Sequence, residues 1–96
     1  MTVFDRVRKA AEAVRYLPSD VPPSHADTRA LREALLELQQ FGMTHGFASP
    51  DAAQTFQNGA RELLEILTSR GAKGVAELVV DPATGDPFLN SLERSA

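Results

Sequence analysis

The chain has 96 residues and no cysteine, with 43% apolar side chains, 24% charged ones and a net charge of −3. That length fits one domain with a modest core, and the composition excludes wholesale disorder. The missing cysteine excludes disulfides, thiolate metal sites and a cysteine nucleophile, and the net negative charge excludes the global positive field of a non-specific nucleic-acid binder.

Charge is unevenly spread. Residues 1–50 hold six basic and six acidic side chains, whereas residues 51–96 hold four and seven, so the acidity sits in the C-terminal half. The opening MTVFDRVRKAAEAVRYL breaks every apolar run with charge, unlike a signal peptide, and nothing approaches the roughly 20 apolar residues of a membrane span. A cytoplasmic protein without membrane contact is the expectation. Eight arginines against two lysines, with abundant alanine, fit a GC-rich bacterial or phage genome.

The first helix is predicted over residues 3–17. Thr2 and Asp5 form a Thr-x-x-Asp capping pattern, and Phe4, Val7, Ala11, Val14 and Leu17 recur at steps of three or four on one stripe. Pro18 ends it, and PSDVPPS over residues 18–24 is a linker whose three prolines forbid helix. Ser24 or Asp27 caps a second helix over 25–41, with Leu31, Ala34, Leu35, Leu38 and Phe41 as its apolar stripe. Gly42 is the expected left-handed stop. Leu36 leaves this stripe and shares another side of the helix with Arg32 and Met43, the first hint of a second apolar surface.

Residues 42–49 read as a turn. Ser49-Pro50-Asp51 then supplies an N-cap, a proline at the first helical position and an acid in the first turn, opening a third helix over 50–70 that Gly71 closes. Ala53, Phe56, Ala60, Leu63, Leu64 and Leu67 form its broad stripe, widened by Ile66. Gly59 falls on the apolar side, where it admits either a closely packed helix or the side chain of a ligand or partner. The C-terminal segment, 72–94, has two readings: a short helix over 72–78, or a strand at 75–80 turning through Pro82-Ala83-Thr84-Gly85. Asp86-Pro87 repeats the cap-plus-proline logic, with Phe88, Leu89 and Leu92 docking inward and fraying expected after Glu93.

FGMTHGFASPD, residues 41–51, is the one stretch that concentrates a histidine, glycines and aromatics. Its ends are a helix stop and a helix start, so it reads as a connector, with Phe47 folded under the third helix or against Phe41. His25 and His45 lack further ligands at metal-binding spacing. No nucleophile elbow, phosphate loop or calcium loop is present, and Asp81 to Asp86 reads as a plain turn. No catalytic, cofactor-binding or metal-binding residue is assigned.

The expected fold class is all-α, a small three-helix bundle with a long αα-hairpin and an irregular or short-hairpin C-terminal segment, all in one domain over 1–96. The expected function is non-enzymatic: an interaction or regulatory protein, such as an adaptor, an inhibitor or a phage or bacterial modulator. It is expected to self-associate, with Leu36, Met43 and Arg32 as the candidate interface. Two alternatives stand beside it. One is a small nucleic-acid-binding regulator using Arg6, Arg8, Lys9 and Arg15 of the basic first helix; the other is a small-ligand sensor or sponge using Tyr16, Arg15 or the His45 loop between subunits.

Overall fold

A computed structural model describes residues 2–80 and 86–95, and among them every regular element is a helix. There are four, α1 (Val3–Arg15), α2 (His25–Thr44), α3 (Pro50–Val80) and α4 (Asp86–Ser95). The radius of gyration, 12.9 Å, is close to the value of about 12.5 Å expected for one folded body of this length.

The helix starts are set locally. At α1 the Thr2 N–H donates to Asp5 Oδ2 and the Asp5 N–H donates to Thr2 Oγ1, both at 3.2 Å, closing the anticipated capping box. The Asp27 N–H donates to Ser24 Oγ at 3.1 Å, and the Ala52 N–H donates to Ser49 Oγ at 3.1 Å, so Ser24 and Ser49 cap α2 and α3. Each cap satisfies a backbone donor that the first turn of a helix leaves without an intrahelical partner.

The box holds the Asp5 carboxyl below its ordinary pKa of 3.8, chiefly through the Thr2 backbone N–H, then the Thr2 hydroxyl and the nearby Arg8 guanidinium. A lowered carboxyl favours folding once it is ionised, so its contribution is present above pH 3.8 and is lost as pH falls through the depressed value. Wild type is therefore expected to exceed Asp5→Asn in stability near neutral pH and to converge on it in acid. Urea denaturation of both proteins across that range checks the sign.

The core forms where the apolar stripes meet. Phe4, Val7, Ala11 and Val14 of α1 are buried against Leu31, Leu35 and Leu38 of α2 and Phe56, Ala60, Leu63 and Leu67 of α3. Phe4 meets Phe41 with ring centroids 5.6 Å apart, and Arg6 pairs with Glu37. The start of α1 thus lies beside the end of α2, and the two helices run antiparallel.

The ends of α1 and α2 differ from expectation. α1 stops at Arg15 and not at residue 17, since Pro18 disfavours helical backbone at the residue before it. α2 runs through Gly42 to Thr44, with His45 as its extended C-cap. Gly42 is no left-handed stop: it is buried inside the helix, where a Cβ would come within 2.6 Å of the Phe56 ring. Its missing side chain makes room for that ring. Gly71, at φ 78 and ψ −178, closes the helix that begins at Pro50, as expected, and a second helical stretch follows it at once and continues to Val80.

Residues 72–80 are helical, as one of the two readings had it, and the strand over 75–80 is overturned. Ala72, Val75, Ala76 and Val79 are buried at steps of three, one and three, the spacing of a helical stripe, and a strand would have put alternate members of this set in solvent. Among the turn residues anticipated over 82–85, all lie outside the described residues. α4 extends to Ser95, beyond the expected fraying point. Leu89 and Leu92 are buried, and Leu92 occupies the notch over Gly59, where a Cβ would sit 2.6 Å from Leu92 Cδ2. The notch is filled from within the chain. Lys73 closes the proline linker onto the end of α3, its Nζ donating to the carbonyl oxygens of Pro18 at 3.4 Å and Ser19 at 3.2 Å. No helix among the described residues is long and apolar enough to cross a membrane.

Candidate interaction surfaces

Helical geometry gathers the three residues singled out on α2. From Arg32, a step of four reaches Leu36 and a further seven reaches Met43, which places them within about 40° of arc along roughly 17 Å of helix. Leu36 is 47% exposed and Met43 68%, and Arg32 is exposed beside them. Arg29, also exposed, extends the same arc, while Glu33 and Glu37 lie toward α1, where Glu37 takes the Arg6 guanidinium. The result is an apolar strip with cationic neighbours.

The four basic residues of α1 do not form one patch. Arg6 pairs with Glu37 on the α2 side. Arg8 Nη2 donates to Asn90 Oδ1 and Glu93 Oε2, each at 2.7 Å, which ties α1 to α4. Lys9 lies on the bank of the α1–α2 groove with Arg6, and Arg15 lines a separate cleft. Two of the four guanidinium or ammonium groups are thus already engaged by acids, and the others are divided between two faces.

FGMTHGFASPD is a packed aromatic corner. His45 stacks on Phe41 at 4.7 Å with the rings 21° apart, and its edge meets Phe47 at 4.9 Å. Phe47 reaches Phe56 of α3 at 5.2 Å, so the loop is anchored under the third helix as expected, two turns further in than its start. His45 is half-buried in this stack. Ser49→Ala is expected to cost about 0.5–2 kcal/mol through the lost cap, and His45→Ala about 0.5–1.5 kcal/mol through lost ring contacts. Guanidinium melts of the two variants measure both losses.

Three concavities accompany these features. One of about 320 Å³, lined by Arg15, Leu17, Ser19, Lys73, Ala76 and Glu77, lies where the linker leaves α1. Tyr16 stands outside it, 78% exposed. A second, of about 560 Å³, lies between α3 and α4 around Gly59, Phe88 and Leu92. The third was not anticipated: a groove of about 370 Å³ between α1 and α2, floored by Ala10, Ala13, Ala30 and Ala34 and flanked by Arg6 and Lys9 on one bank and Glu33 and Glu37 on the other. Its sequence signal is alanine at steps of three or four on both helices. Among the described residues, no three histidine, aspartate or glutamate side chains lie close enough to hold a metal ion.

No family model, curated protein or solved structure matches this chain.

Proposed function

We propose that the protein is a non-enzymatic interaction module whose Arg32, Leu36 and Met43 strip binds a protein partner. The observation that carries this is the exposure of Leu36 and Met43, 47% and 68%, one above the other on α2. Aligned apolar residues left in solvent on a folded helix form a ready seat for an amphipathic helix. Arg29 and Arg32 select a partner segment with acidic groups at one end.

Leu36→Glu with Met43→Glu is expected to abolish capture of a partner from nuclease-treated native lysate while leaving the helical circular dichroism and melting temperature unchanged. A partner retained by that double variant sinks the proposal. Capture by wild type that disappears on nuclease treatment points instead to nucleic acid, for which Lys9 and Arg15 remain on separate faces.

A further inference from the structure

The groove between α1 and α2 has banks of opposite charge. Arg6 and Lys9 belong to α1, and Glu33 and Glu37 to α2. Between them the floor is alanine, with Ala13 and Ala30 exposed. Small residues on a helix face let another helix approach closely, and here two antiparallel helices present such a face together. The geometry points to a second copy of this chain seated in the groove, related by a two-fold axis parallel to α1 and α2. This gives a surface to the self-association expected from the sequence, and it stands or falls independently of the Leu36 strip.

Symmetry decides the arrangement. A two-fold axis lying along the groove places α1 of one copy over α2 of the other, so Lys9 of each meets Glu33 of its partner, and two cross-chain ion pairs form. A two-fold axis across the groove places α1 over α1, basic bank against basic bank, and is disfavoured by like-charge contact. Arg6 and Glu37 are already paired with each other across one end of the groove, which leaves Lys9 and Glu33 as the charges that meet the second copy. Tyr16, 78% exposed, is the C-cap of α1, and a second copy arranged in this way brings the start of its own α2 toward that end. Aromatic side chains in such positions are enriched in protein interfaces. The four helices α1, α2 and their copies form a bundle, and the Leu36 strip stays in solvent on both molecules.

The test uses the full chain. Sedimentation equilibrium is expected to show a dimer that Lys9→Glu or Glu33→Lys weakens at least tenfold, and that the two changes in one chain restore. Ala13→Arg with Ala30→Arg, both at exposed helical positions, is expected to give a monomer with unchanged helical circular dichroism. Because the natural chain has no cysteine, single cysteines report on orientation: a mixture of Lys9→Cys and Glu33→Cys chains is expected to cross-link with a short bifunctional thiol reagent, while Lys9→Cys alone is not. A monomer at millimolar concentration, or a dimer broken by Leu36→Glu and indifferent to the groove variants, overturns the proposal. So does cross-linking of Lys9→Cys to itself, since that requires the other two-fold axis.

Discussion

Phe56→Ala is expected to destabilise the protein by about 3–5 kcal/mol, the range for truncating a fully buried phenylalanine. Phe56 is wholly buried and joins three elements: its ring meets Phe4 of α1 at 6.1 Å, Phe41 of α2 at 5.6 Å and Phe47 of the connecting loop at 5.2 Å. Gly42 supplies the space in which it sits. Removing the ring leaves a cavity bounded by side chains from separate helices, so no single shift can collapse it. Folding stabilities of about 5–15 kcal/mol leave little beyond such a loss. Phe56→Leu, which keeps much of the volume, is expected to fall well short of it. Guanidinium denaturation of the two variants gives the comparison, and an unchanged midpoint for Phe56→Ala would mean that the aromatic corner does not organise the core.

The second large effect is expected at Gly71, where substitution by alanine costs about 1–3 kcal/mol, the usual range for backbone held in a region closed to other residues. Its φ of 78 with ψ −178 is a conformation essentially reserved for glycine. A Cβ there meets nothing within 4 Å, so steric contact with the rest of the fold contributes nothing and the cost is purely conformational. Gly59→Ala tests the opposite cause. Its backbone is helical, but a Cβ would sit 2.6 Å from Cδ2, 3.3 Å from Cδ1 and 3.4 Å from Cγ of the buried Leu92, so the gain of about 1 kcal/mol in helix propensity is opposed by displacement of that side chain. Leu92→Ala, which empties the notch, is expected to relieve the cost of Gly59→Ala and to leave that of Gly71→Ala unchanged, and melts of the single and double variants check this.

What local chemistry controls was legible in the sequence. Thr2, Ser24 and Ser49 cap as their residue types and spacing predict, and the apolar stripes of the first three helices pack together except for Leu17, which lies past the end of α1, and Ala53. Glycine proved harder, because the same absent side chain serves two ends. Gly42 was expected to free the backbone, yet it clears space for Phe56 inside an uninterrupted helix, a use that depends on a residue fourteen positions away. Val75, Val79 and Val80 carry β-branched side chains that suit strand as well as helix, and the burial of Ala72, Val75, Ala76 and Val79 on one side resolves that ambiguity only once α3 has a partner layer. The Leu36 strip could be seen from one helix's periodicity. The alanine groove could not, since it exists only where two particular helix faces adjoin.

The exposed position of Tyr16 has a spectroscopic consequence. It is the sole tyrosine in a chain without tryptophan, so the tyrosine emission of the protein comes from one phenol. Because that ring is 78% exposed in the folded monomer, unfolding barely alters its surroundings and a fluorescence melt is nearly blind to the core. The same light is sensitive to whatever covers the end of α1: its anisotropy and its quenching by iodide change when another molecule takes the place of water there. Tyr16 is thus a native optical probe of contact at the end of α1, separate from the folding of the core.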